Sequence, residues 1–203
     1  MITLFHAPQS RSSRIIWLLE ELGATYEIRP VSIFRPMTGK GLPDPANPHP
    51  DGRVPAILDD DRLVTESVGI VLYLADAFAA AGLAPVPGDR RRGEYLGWIA
   101  WYATELEQAM FAGLSGALAQ SPGKQRDHAA VLARLRNALV EGPYVMGAEF
   151  TAADVLIASA LGFGRSAFPD DEVLDAYVAR CRARPAAIRS LARDDQSGLQ
   201  VAA

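Results

Sequence analysis

The sequence predicts an α/β domain followed by an all-α domain, and three observations predict it. Short β-prone segments alternate with a helical segment over residues 1–80. A connector rich in glycine and proline follows, Ala81-Gly82-Leu83-Ala84-Pro85-Val86-Pro87-Gly88. Beyond it the strand signals stop, and apolar residues recur at helical spacing. The division is therefore a first domain over 1–80, a linker over 81–89 and an all-helical domain over 90–203, each of ordinary domain size.

Taken in order, Ile2-Thr3-Leu4-Phe5 reads as a strand ended by the turn His6-Ala7-Pro8-Gln9. Ile15, Leu18, Leu19 and Leu22 recur at i, i+3, i+4 and i+7, an amphipathic helix closed by Gly23. Tyr26-Glu27-Ile28 and Val31-Ser32-Ile33 resume an extended pattern, and strand-helix-strand order implies a right-handed parallel unit. Residues 35–52 have little periodicity and carry Pro36, Pro43, Pro45, Pro48 and Pro50, a long surface loop beside the candidate site.

Next comes a hairpin, Arg53 to Leu58 and Leu63 to Ser67, turning at Asp59-Asp60-Asp61. Pro55 lacks the N–H that a central ladder needs, so it marks the mouth of the hairpin. A cis Val54-Pro55 bond would turn the Val54 N–H and C=O away from the sheet, free to pair with an extended peptide. Val68, Val71, Leu72, Ala75 and Phe78 then follow helical spacing. This puts Ser67 at a helix N-terminus, where N–H groups and the dipole favour a carboxylate.

The helical half divides into a long helix from about Arg91 to Leu118, a second from Lys124 to Val140, a third from Thr151 to about Gly164, a fourth from Asp171 to Arg182 and a short last one after Pro185. Thr151-Ala152-Ala153-Asp154 reads as a short-armed capping box, which gives Asp154 a structural role. The helix it opens, Val155 to Leu161, is apolar nearly all round and must be buried.

Composition narrows the function. A net charge of −4 gives no reason to expect nucleic acid. No apolar run reaches the roughly 18 residues of a membrane helix, and the N-terminus enters a strand with no signal-like segment, so the expected location is the cytoplasm. One cysteine, Cys181, excludes an intrachain disulfide and a CxxC pair. The neighbouring arginines 180, 182 and 184 could depress its pKa, but a helix face is the simpler home for it. Three histidines, at 6, 49 and 128, suggest no metal; His6 is read as structural, though it could face the site from the end of the first strand.

Together, Val54-Pro55-Ala56-Ile57, Glu66-Ser67 and Phe150-Thr151-Ala152-Ala153-Asp154, in this order and spacing, resemble the cytosolic glutathione S-transferases over nearly the whole chain. The stretch Ala7-Pro8-Gln9-Ser10-Arg11-Ser12-Ser13-Arg14, leading into Trp17-Leu18-Leu19-Glu20-Glu21, is similar to the serine-bearing bacterial members. The resemblance implies a thioredoxin-like N-terminal domain, a helical-bundle C-terminal domain and a cytosolic homodimer active in detoxification. It implies that Val54, beside Pro55, pairs with the cysteinyl backbone of glutathione. Ser67 would take the γ-glutamyl carboxylate, Glu66 would help with its ammonium, and Arg53, where the family usually has Lys or Gln, would reach the glycyl carboxylate. Glutathione is then a co-substrate and no cofactor is expected.

The chemistry agrees. A free thiol has a pKa of about 8.5, so lowering it needs a donor and positive potential at the sulfur. The loop from Gln9 to Ser13 offers three hydroxyls, helix-start N–H groups, Arg11 and Arg14. Ser10 is the first choice for the donor and Ser12 the second, while the register of some classes falls on Gln9. Tyr102 and Phe111 are the candidate walls for a small apolar electrophile. The expected activity is glutathione transfer. The alternatives are glutathione-dependent peroxide reduction or isomerisation on the same site, and a non-catalytic glutathione-binding or adaptor protein.

Overall fold

The computed structural model describes residues 1–201, with side chains as far as Asp195. Two units emerge: residues 1–81 with the C-terminal segment from Pro185, and Gly82–Arg184.

In the first unit the chain runs β1 (Ile2–His6), α1 (Ser13–Leu22), β2 (Tyr26–Pro30), β3 (Ala56–Asp59), β4 (Arg62–Thr65) and α2 (Ser67–Ala77). The sheet order is β2-β1-β3-β4. β1 and β2 are parallel, while β1 with β3 and β3 with β4 are antiparallel. Leu4, Ile15, Leu18, Leu19, Ile57, Ile70 and Leu74 are wholly buried, so the face of α1 predicted from periodicity supplies the core. On α2, Ile70 and Leu74 join the predicted Val71 and Ala75 there, whereas the predicted Val68, Leu72 and Phe78 are only half-buried. Gly23 ends α1 at φ 63°, a left-handed conformation that glycine adopts without a Cβ penalty. Val31-Ser32-Ile33 does not form the expected strand. Pro30 closes the β1–β2 ladder opposite His6, and the Ser32 hydroxyl donates to Leu42 C=O at 2.8 Å, drawing the chain into the loop.

The second unit holds α3 (Arg92–Trp101), a π-helical turn (Tyr102–Leu106), α4 (Glu107–Leu114), α5 (Pro122–Glu141), α6 (Ala152–Gly164) and α7 (Glu172–Arg182). The one long helix predicted over 91–118 is thus interrupted. The π turn inserts into it, and left-handed Gly116, at φ 72°, stops it before Leu118. α6 is buried along nearly its whole length, with the expected capping box at its start. Asp154 accepts from the Thr151 N–H at 2.8 Å, the Val145 N–H at 3.0 Å and the Tyr177 hydroxyl at 3.0 Å. Cys181 is buried on α7, and burial, reinforced by Asp154, pushes its thiol up to about 12. The neighbouring arginines do not activate it.

The last helix, α8 (Pro185–Val201), is longer than expected and groups with the first unit, not with the all-helical domain predicted over 90–203. Its buried residues Ala186, Ala187, Ser190 and Asp194 form one helical stripe. Arg189 and Arg193 both reach Glu20 on α1, with Nε at 2.7 and 3.1 Å. Arg193 also lies over the Tyr26 ring, 4.7 Å from its centroid. These charge pairs and the buried stripe dock α8 on α1 and β2.

Candidate functional site

Strand register brings the predicted motifs to one end of the sheet. Phe5 pairs with Ala56, and Ala56 pairs with Thr65. The loop after β1, the Val54-Pro55 pair before β3 and Glu66-Ser67 after β4 therefore leave the sheet side by side. Val54-Pro55 is cis, and Val54 lies beyond the last paired residue of the ladder.

Ser67 opens α2. Its hydroxyl is buried, with no hydrogen-bond partner among the described residues. Such a group is costly to leave unsatisfied and is rare outside sites that a ligand completes. Glu66 before it sits at φ 67°, ψ 131°, a conformation that a side-chain-bearing residue adopts only under constraint. Its side chain is 71% exposed, and His49 Nε2 lies 3.8 Å from its Oε1.

The proline-rich loop is built by local turns. Asn47 donates to Arg53 C=O at 2.8 Å and accepts from the His49 N–H at 3.1 Å, while the Asp51 N–H donates to His49 Nδ1 at 3.1 Å. Accepting there puts the neutral-ring proton of His49 on Nε2, facing Glu66. Gly52, at φ 60°, packs so closely on Pro43 that an added Cβ would come within 2.7 Å of its side chain. This scaffold fixes the backbone that delivers Val54. Arg53 itself is exposed, with Asp51 3.7 Å away.

The serine loop is a connected chain. Ser10, half-buried, lies 2.7 Å from Ser12 through their hydroxyls. Ser12 is wholly buried, and its Oγ is 2.8 Å from His6 Nδ1 and accepts from the Ala7 N–H at 3.2 Å. His6, also wholly buried, places Nε2 2.9 Å from Asp194 Oδ1, ion-pair range at an angle outside that of a good hydrogen bond. Asp194 further accepts from the Ser13 hydroxyl at 2.8 Å and the Gln9 N–H at 3.3 Å. Burial acts to raise its pKa, but the His6 contact and the Ser13 bond outweigh burial and hold it below the usual carboxylate value. Ser12 thus occupies the position before α1 without capping it, because its hydroxyl turns inward. Arg11 is exposed on the same turn.

Two residues here were not singled out from the sequence. Arg35 donates to Pro8 C=O at 2.8 Å and to Gln9 C=O at 3.4 Å, holding the loop from the other side. Asp194 arrives from α8. Neither carries a motif, and their partners are distant in sequence, so no local signal marks them.

Tyr102 and Phe111 lie in the second unit. Tyr102 is only 2% exposed and donates to Glu107 at 2.5 Å. A ring so enclosed offers no surface to a second substrate, which corrects that expectation; Phe111 is half-buried. A cavity of about 460 Å³ in this unit is lined by Trp101, Glu105, Asp127 and Arg134 among others, and includes neither residue.

Residues 1–76 match the family model for the glutathione S-transferase N-terminal domain. Glutathione S-transferase GstA of Escherichia coli O157:H7 is 28% identical over 189 residues, 90% of this chain and 93% of that protein. Glutathione S-transferase 3 of Schizosaccharomyces pombe is 38% identical over 74 residues, 36% of this chain, and the match spans only 29% of that protein. A sphingomonad glutathione S-transferase, solved in complex with glutathione, superposes with a TM-score of 0.76 at 28% identity, covering 95% of this chain and 98% of that one. The sheet order, the cis proline at its end and these likenesses lead to one conclusion: residues 1–76 form a glutathione S-transferase N-terminal domain, and the chain is similar to glutathione S-transferases over nearly its whole length.

Proposed function

We propose that this chain is a glutathione transferase that binds glutathione at the end of the sheet, ionises its thiol beside Ser10 and releases the thiolate to attack a small apolar electrophile. Val54 pairs with the cysteinyl backbone. The γ-glutamyl carboxylate enters the start of α2, where the Ser67 hydroxyl and free helix-end N–H groups receive it. Glu66 takes the ammonium, and exposed Arg53 reaches the glycyl carboxylate. Arg11 adds positive potential at the sulfur. Ser10, with surface to offer, is the thiol's partner, and Ser12 stands behind it. Phe111 remains the candidate wall for the electrophile. Glutathione serves as co-substrate with no further cofactor, and the working form is a cytoplasmic homodimer engaged in detoxification.

The observation that carries this reading is the buried, unpartnered Ser67 hydroxyl beside strained Glu66, a donor prepared for an acceptor from outside. The test is the ultraviolet thiolate absorbance of bound glutathione across a pH titration, for wild type and Ser10→Ala. A depressed thiol pKa that Ser10→Ala abolishes while binding persists is the expected result. Binding with no depression would reduce the protein to a carrier.

A further inference from the structure

Resting on that reading, we propose that His6, braced by Asp194, is the buried acceptor for the glutathione thiol proton, which reaches it through Ser10 and Ser12. The relay consists of three contacts: Ser10 Oγ to Ser12 Oγ at 2.7 Å, Ser12 Oγ to His6 Nδ1 at 2.8 Å and His6 Nε2 to Asp194 Oδ1 at 2.9 Å. Its inner end is wholly buried at His6 and its outer end half-exposed at Ser10, so it runs from core to surface.

Counting donors orients the chain. With its proton on Nε2, facing Asp194, neutral His6 accepts at Nδ1. Ser12 has one hydrogen to give and, in this state, gives it to His6. It accepts from the Ala7 N–H, and its second acceptor position receives the Ser10 hydroxyl. Ser10 then points inward and accepts from the Ser12 N–H at 3.1 Å. In this orientation Ser10 has no hydrogen left for a thiolate, but it retains a lone pair for an S–H.

Transfer reverses the Ser10–Ser12 and Ser12–His6 bonds and leaves the Nε2 contact to Asp194 as it was. The S–H bond breaks and its electron pair stays on sulfur; the proton passes to Ser10 Oγ, the Ser10 proton to Ser12 Oγ and the Ser12 proton to His6 Nδ1. The products are a thiolate and an imidazolium facing the Asp194 carboxylate. All hydroxyls now point outward, and Ser10 donates to the sulfur it has just ionised. The donor role of Ser10 thus depends on the protonation of His6, which never touches glutathione and acts only through the serines. Asp194 is well placed to hold the new charge, lying at the start of α1, where the Ser13 hydroxyl and Gln9 N–H also fix it. Charged groups near this strand end also include Arg29 on β2, whose guanidinium lies 5.7 Å over the Phe5 ring, Arg35, which donates to the Pro8 and Gln9 carbonyls, and Arg11 on the serine turn.

The test counts protons. Glutathione is titrated calorimetrically into the full chain near neutral pH in buffers of different ionisation enthalpy, with thiolate absorbance recorded in parallel, for wild type, His6→Gln and Asp194→Asn. Wild type is expected to form thiolate while releasing almost no proton to the buffer, because His6 keeps it. Asp194→Asn preserves the shape of the brace should His6→Gln fail to fold; it is expected to hold about tenfold less thiolate at the same pH. Release of about one proton per thiolate formed by wild type, or an Asp194→Asn titration that matches wild type, would overturn the relay and leave the transferase reading standing. Absence of thiolate in wild type would overturn both.

Discussion

Asp154 in the second unit and Asp194 in the first are both helix-borne, both buried and both surrounded by donors, yet their acidities move in opposite directions. Asp154 is wholly enclosed, and burial raises its pKa despite bonds from Val145, Thr151 and Tyr177. Asp194 is less completely enclosed, and its ion-pair contact with His6 and its bonds from Ser13 and Gln9 outweigh burial and lower its pKa. Neutral donors satisfy a carboxylate without offsetting full desolvation, whereas an imidazole partner and partial hydration favour its charge. The surroundings differ in kind as well. The partners of Asp154 are backbone groups and hydroxyls enclosed in the core, a closed knot that fixes α6. The chain behind Asp194 leads out to Ser10. A buried polar network that ends inside is architecture; one that reaches the surface can exchange a proton.

The largest effect should come from opening the closed knot. Asp154→Ala leaves buried donors from Val145, Thr151 and Tyr177 unpaired and is expected to cost about 4 kcal/mol in denaturant unfolding. A loss comparable to that of a surface substitution would mean that the knot is not structural. In the open network the two serines should separate. Ser12→Ala strands the Ala7 N–H and His6 and should cost about 2 kcal/mol, while Ser10→Ala should leave stability within about 0.5 kcal/mol and remove the thiolate. Equal stability losses for the two would erase the distinction between inner and outer hydroxyls.

Ser67→Ala should do the unusual thing of stabilising the free protein, by about 1 kcal/mol, since it deletes a buried hydroxyl that nothing satisfies. Glutathione affinity should fall at the same time, and thermal unfolding with and without glutathione reads both. A destabilised free protein would mean that the hydroxyl is already satisfied. The smallest effect concerns pH. The Asp194 pKa is lowered on folding, so its contribution to stability is present above the unfolded carboxylate value and fades as pH falls through the folded one. Asp194→Asn should therefore differ most from wild type near neutrality and converge with it in acid, as followed by urea midpoints. The Asp154 pKa is raised, so its contribution runs the other way, present below the unfolded value and lost as pH climbs through the folded one.

Much of the first unit was legible because its signals are local. Apolar periodicity located α1 and α2, the acidic turn marked the β3–β4 hairpin, and Gly23 marked the end of α1. The Glu66-Ser67 pair and the Val54-Pro55 mouth each signal a binding device within a few residues, and strand register brings them to one sheet end. Errors arose where a local pattern met a tertiary demand. Val31-Ser32-Ile33 alternates like a strand, but the ladder had already ended at Pro30. Tyr102 sits on an aromatic stripe that serves a pocket wall and a core equally well, and the π turn turned it into the core.

The sequence by itself determined the order of elements, the capping box and the residue types gathered at the site, because each of these is written in spacings of a few residues. Only the tertiary structure decided that α8 returns to α1, that Ser12 faces inward while Ser10 faces out, and that Asp194 meets His6 across 187 intervening positions. Those outcomes depend on which buried polar groups find partners. That is settled by packing over the whole chain, and no local window of sequence contains it.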